Sequence, residues 1–151
     1  MNQVPWSISI PTHTRNQPED SRTLPITNKM EEQQAQSIRD CIFCKIVNGE
    51  ISADIISRNT HTIAFRDINP QAPTHVLVIP RTHIEHAADV GPDHAEIIIE
   101  MLTTAREIAT SEGILAKGYR LVFNVGDDAG NLVPHLHLHV IGGRTMSWPP
   151  G

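Results

Sequence analysis

The sequence predicts an α+β domain: about five strands in an antiparallel sheet, with one long helix and one short helix. Three observations predict it. Short runs rich in β-branched and apolar residues recur between turn-prone residues. Only one long stretch, from about Ala95, repeats apolar residues every three or four positions. The first three strand runs are joined by connections too short to hold a crossover helix, which favours antiparallel neighbours.

The elements follow in order. The first forty residues carry Pro5, Pro11, Pro18 and Pro25 and the polar run EEQQAQ, with no sustained apolar periodicity. Such a segment buries too little apolar surface to offset its ordering entropy, so residues 1–40 are expected to form a disordered or loosely docked tail. The domain is expected over residues 41–151, a length sufficient for one core. CIFCKIVNGE places Ile42, Phe43, Ile46 and Val47 at helical spacing with Gly49 just beyond, which predicts the short helix. DIISRN, HTIAFRDI and THVLVIP read as three strands; SRNTHT is the expected hairpin turn and DINPQAPT a proline-fixed loop. Pro92, Asp93 and Glu96 suit the start of the long helix, and Ala95, Ile98, Leu102, Ala105 and Ile108 or Ala109 form its expected buried stripe. Glu112 and Gly113 end it. GYRLVFNV and PHLHLHVIGG are the last two strands, joined by the loop GDDAGNLV.

Charge and composition narrow the function. The net charge is −5 with histidine neutral, and most of it falls on residues 41–151, so no basic stripe for nucleic acid is present. No run of apolar residues is long enough for a membrane span. The N-terminus lacks the charged-then-apolar pattern of a secretory signal, which predicts a cytoplasmic protein. Targeting to an organelle by the tail stays open, as does Met30 as the biological start. The two cysteines, Cys41 and Cys44, favour metal binding or reduced thiols over a structural disulfide; Cys-x-x-Cys alone also fits a redox pair.

Three of the nine histidines, His135, His137 and His139, alternate with Leu136 and Leu138. On a strand the two leucines and Val140 face the core, and the imidazoles line the opposite face about 6–7 Å apart. Spacing alone leaves three readings: a metal-binding strand, a catalytic row of imidazoles, or three solvated histidines.

The run HLHLHVI, followed by GGR, preceded by NVGDDAG and accompanied upstream by DINPQAPTHVLVIPRTHI, resembles the histidine triad (HIT) family of nucleotide hydrolases and transferases. The closing GGRTMSWPPG resembles its Hint branch, the purine nucleoside phosphoramidases. The resemblance covers residues 41–151 and implies a HIT-like fold, a purine nucleotide substrate, a homodimer and no organic cofactor. It implies that His137 attacks the α-phosphorus to form a covalent nucleotidyl-histidine, with its other ring nitrogen held by a backbone carbonyl. His139 then binds the phosphate or the leaving group, and His75 is a fourth histidine of the site. Asn124 matches a residue at the phosphate, Asp67 the acceptor of the ribose hydroxyls, and Ile42, Phe43, Ile46, Phe65 and Ile68 the walls around the base. Each of these apolar residues equally fits plain core. The loop 126–133 is placed to offer backbone amides to a phosphate.

The same resemblance implies structural zinc held by Cys41, Cys44, His83 and His135, a closed four-ligand set with no position for a catalytic water. One departure stands out. Many Hint-branch proteins carry a serine three residues before the first triad histidine; here Leu132 occupies that position and cannot donate a hydrogen bond. His61, His86 and His94 match no motif and are expected at the surface. The rival functions are a dinucleoside polyphosphate hydrolase, a non-catalytic nucleotide-binding or scaffold protein, and a protein that binds metal through all three triad histidines.

Overall fold

The computed structural model describes residues 26–150. Residues 1–25 of the expected tail lie outside the described residues. The remainder of that tail forms a helix, α1 (Ile26–Asp40), which runs directly into α2 (Ile42–Val47). Its composition explains the difference: Met30 to Ala35 are good helix formers, and Arg39 sits in the last turn, where positive charge suits the helix dipole. Gln36 bonds both Asp40 (2.7 Å) and Arg39 (2.7 Å) along one face. The Cys41 amide continues the ladder to the Ser37 carbonyl at 3.0 Å. Proline count and polarity argued for a tail, but beyond Pro25 no proline interrupts the segment.

The described strands form one antiparallel sheet in the order β1–β2–β3–β5–β4, comprising β1 (Ile55–Arg58), β2 (Thr62–Arg66), β3 (Thr74–Pro80), β4 (Tyr119–Val122) and β5 (Leu138–Gly142). The expected hairpin turn closes through the Asn59 amide on the Thr62 carbonyl at 2.9 Å. The long helix α3 spans Ala95–Ser111, preceded by a 3-10 turn at Pro92–His94 and ended at Glu112 before Gly113, whose φ is 70°.

Alternation along the strands divides the core in two. Ala64, Val76, Val78, Leu138 and Val140 face α3, which contributes Met101, Ala105 and Ile108. Ile63, Phe65, Leu77 and Ile79 face the other way, onto Cys41, Phe43, Cys44 and Ile46 of the α2 region. The expected α3 stripe is therefore turned by one residue: Met101 is fully buried and Leu102 is 44% exposed. Both sit at allowed spacing from Ile98 and Ala105, and sheet packing selects Met101. Beside Gly142, a Cβ would collide with the Ile114 side chain, so β5 passes closely under the segment that follows α3.

The last strand is shorter than expected. β5 pairs with β3 from Leu138↔Val78 to Gly142↔Thr74, and His135 and His137 precede it. Pro80 ends β3 and has no N–H to continue the ladder toward residue 136. The Leu136 amide instead donates to the Ile84 carbonyl at 2.5 Å. The alternation nevertheless holds beyond the strand: Leu136, Leu138 and Val140 lie in the core under α3, and the three histidines point to the α2 side.

Candidate active site and metal centre

His137 is buried, and its Nδ1 lies 2.7 Å from the His135 carbonyl oxygen. A carbonyl only accepts, so Nδ1 carries the proton and Nε2 keeps a lone pair. A neutral imidazole in that tautomer is a competent nucleophile near pH 7. The edge of the Phe43 ring packs on it, with centroids 5.4 Å apart, and the His139 ring stands 5.0 Å away.

The tautomer of His139 follows from a chain of bonds. The Gln71 backbone amide donates to His75 Nδ1 at 3.1 Å. His75 must then carry its proton on Nε2, which donates to His139 Nδ1 at 2.9 Å. That leaves the proton of His139 on its own Nε2, which is buried and has no partner among the described residues. A buried orphan N–H is costly, and an anionic oxygen would satisfy it. Burial first, then the neighbouring His137 and His75, push the His139 pKa down to about 4 against the pull of Asp67. His75 is likewise lowered by burial, with Asp67 opposing. Both rings are therefore neutral donors at pH 7.

Asp67 joins this group, with a carboxylate oxygen 3.5 Å from His75 Nε2. Its other oxygen accepts from the Asn69 amide at 2.8 Å, so it also caps the loop 67–73. Val122, the last residue of β4, pairs with His139, and Asn124 lies two residues beyond the strand end. Of the five apolar wall candidates, Phe43 and Phe65 are core residues in edge-to-face contact at 5.6 Å. Ile42 is half-exposed and Ile68 fully so. Ile46 is core. The loop 126–133 turns on Gly126 and Gly130, with φ of 78° and 73°. Leu132 is 91% exposed, and Asn131 beside it has a buried, unpartnered side-chain oxygen.

The second cluster lies on the other side of His137. Cys41, Cys44, His83 and His135 offer four ligand atoms, all within 4.8 Å of one another. His135 Nδ1 lies 3.4 Å from Cys41 Sγ and 3.5 Å from Cys44 Sγ, and His83 Nδ1 lies 3.3 Å from Cys44 Sγ. Tetrahedral bonds of about 2.0–2.3 Å separate neighbouring nitrogen and sulfur ligands by roughly 3.5 Å, so the set fits a zinc-sized cation. His135 Nε2–H donates to the Pro80 carbonyl at 2.9 Å, the outer contact that fixes the tautomer of a metal-ligating histidine. Burial and the adjacent Cys41 push the Cys44 thiol up to about 12, and burial pushes His135 down to about 4. A cation bound by this donor set would favour the thiolates that burial disfavours. Glu85, His86 and Asp89 form a further, exposed group with no such enclosure. His61, His86 and His94 are half-buried, outside both clusters.

The structure brings His75, His137, His139 and Asp67 to one site and the four sulfur and nitrogen ligands to another. Sequence reading missed the Gln71 amide, the Pro80 carbonyl and the Ile84 carbonyl. These are backbone groups, for which residue type gives no signal.

A two-faced antiparallel sheet here presents one imidazole lone pair beside one imidazole N–H, an arrangement suited to an anionic ligand. Comparison with known proteins gives the family. The HIT domain profile matches residues 48–146, and the chain belongs to the HIT family, on its Hint-like branch. The purine nucleoside phosphoramidase of Escherichia coli is 44% identical over 107 residues, covering 71% of this chain and 90% of that protein. An uncharacterized HIT-like protein of Synechococcus elongatus is 46% identical over 112 residues, 74% of this chain and 97% of its own length. A crystal structure of a HIT family hydrolase from Legionella pneumophila superposes with a TM-score of 0.73 at 50% identity, covering 74% of this chain and all of that one. These likenesses support a hydrolase. No helix among the described residues is long and apolar enough to cross a membrane.

Proposed function

We propose that this protein hydrolyses purine nucleoside 5′-phosphoramidates to the nucleoside monophosphate, through a covalent nucleotidyl intermediate on His137. The observation that carries the reading is the complementary pair of tautomers: a lone pair on His137 Nε2 and an unpartnered N–H on His139 Nε2. His137 Nε2 attacks the α-phosphorus, forming a P–N bond as the bond to the leaving amine breaks. His139 Nε2–H hydrogen-bonds the phosphate oxygens, and the departing amine takes its proton from water. Water then attacks phosphorus, the P–N bond to His137 breaks, and the monophosphate leaves. The division into two steps replaces one slow displacement by two faster ones. Asp67 is assigned to the ribose hydroxyls and Asn124 to the phosphate; Phe43, Phe65, Ile42 and Ile68 line the approach of the base.

Leu132 supplies no hydrogen bond to the leaving group, so His139, water or the substrate itself carries that duty. The cluster Cys41, Cys44, His83 and His135 is assigned to zinc, which when bound cross-links the start of α2 to the triad segment. A homodimer is assigned to the β4 side of the sheet. There β4 is the outer strand, and a cavity of about 880 Å³ lined by Lys117, Tyr119, Arg120 and Arg144 adjoins it.

The test is incubation with adenosine 5′-phosphoramidate and, separately, diadenosine tetraphosphate. AMP formed from the first, lost in His137→Ala, is expected. Turnover of the second alone would replace this reading with that of a polyphosphate hydrolase.

A further inference from the structure

His135 belongs to both clusters at once. Its ring faces the two thiols, and its carbonyl accepts the proton-bearing nitrogen of His137 at 2.7 Å. We propose that His135 is a positioning residue through which the Cys41–Cys44–His83–His135 centre sets the orientation of the nucleophile, so that metal occupancy governs turnover. The inference rests on the two readings above, of His137 as nucleophile and of the cluster as a metal centre.

Four contacts carry it. The His135 ring is gripped at both nitrogens, by the sulfur pair at Nδ1 and by the Pro80 carbonyl at Nε2 (2.9 Å). The peptide unit that follows is pinned at its other end, because the Leu136 amide donates to the Ile84 carbonyl. Ile84 is the neighbour of His83, whose Nδ1 lies 3.3 Å from Cys44 Sγ. Two ligands of the cluster thus fix both sides of the one peptide plane whose oxygen orients His137. Finally, Phe43 lies between the two cysteines in sequence and places its ring edge on both His135 (5.8 Å) and His137 (5.4 Å).

No regular ladder holds this segment. β5 begins only at Leu138, and β3 stops at Pro80, so the residues carrying the nucleophile depend on side-chain and single backbone contacts. A closed four-ligand centre contributes rigidity here without touching substrate. Changing it is expected to act on the orientation of His137 and so on the rate of the chemical step; Ile42 and Phe43, which lie between the two cysteines, carry a share of any effect on binding.

Histidine-labelled protein, observed by nitrogen and proton NMR, tests this together with elemental analysis and steady-state kinetics. Zinc-loaded protein is expected to show His137 as a single tautomer, with a protected Nδ1 proton. Chelation, or His83→Ala, is expected to broaden or remove that proton signal and to lower kcat on the order of tenfold. Replacing zinc by cadmium lengthens the bonds in a folded protein. It is expected to shift the His137 ring signals and leave those of His61 in place, which keeps the test decisive even where the metal-free chain unfolds. Unchanged His137 signals in both the cadmium and His83→Ala proteins, with metal content altered as intended, overturn the inference while leaving both readings standing. Absence of stoichiometric metal in an active enzyme overturns the metal reading and this inference with it. Failure to turn over any phosphoramidate by metal-loaded protein with the His137 signature intact counts against the assigned activity alone.

Discussion

At the scale of residues, the three triad histidines have become unequal. His135 faces sulfur, His137 offers a lone pair, and His139 presents an orphan N–H. His139→Ala is therefore expected to lower kcat by about 10²–10³, the usual worth of a hydrogen-bond donor to developing oxyanion charge, while His137→Ala abolishes turnover. Leu132 contacts solvent, so Leu132→Ser is expected to leave stability within about 0.5 kcal/mol. If the side chain supplies the missing donor, kcat rises most for substrates with poor leaving groups, as a comparison of amine leaving groups would report. The depressed pKa of His139 also makes a statement about stability. Between its ordinary 6.5 and about 4, the unfolded chain binds more protons at this position than the folded one. Its contribution is thus complete above pH 6.5 and is lost progressively as pH falls to about 4, an acid-side decline that His139→Gln should flatten in denaturant titrations.

At the scale of elements, most of the sheet was legible because short β-branched and apolar runs stand between turn-prone residues. HTIAFRDI and THVLVIP carry apolar residues on both faces, and both faces are covered in the structure. Three features were not legible. The α3 stripe admits Met101 or Leu102 at equal spacing, and only packing on Val76, Val78 and Val140 decides between them. Met101→Ala is expected to cost about 2–5 kcal/mol, and Leu102→Ala about 0.5 kcal/mol, by urea unfolding. The late start of β5 follows from the missing N–H of Pro80, a pairing that sequence does not reveal. Helix α1 was hidden by polarity: its residues favour helix but show little apolar stripe, so composition pointed to a tail.

At the scale of the whole molecule, the sheet separates two jobs. α3 and the aliphatic face of β2, β3 and β5 make a conventional core, and the α2 side carries the histidine and cysteine clusters. The candidate site was legible to the extent that it consists of side chains in a recognisable pattern. The carbonyl that holds His137 was implied by the resemblance, but the tautomer of His139 was not legible, because the Gln71 amide sets it through His75. The Cys₂His₂ group joins chain positions as far apart as Cys41 and His135, so zinc removal is expected to destabilise globally. A loss of about 3 kcal/mol would lower Tm by roughly 10–20 °C in a chelator-dependent thermal scan. The central claim concerns His137. The most direct measurement is rapid-quench mass spectrometry of the peptide that contains it, during turnover of adenosine 5′-phosphoramidate. The expected result is one AMP added at His137, formed and consumed at rates compatible with turnover and missing in His137→Ala. Turnover without any adduct on that peptide, persisting in His137→Ala, would contradict it.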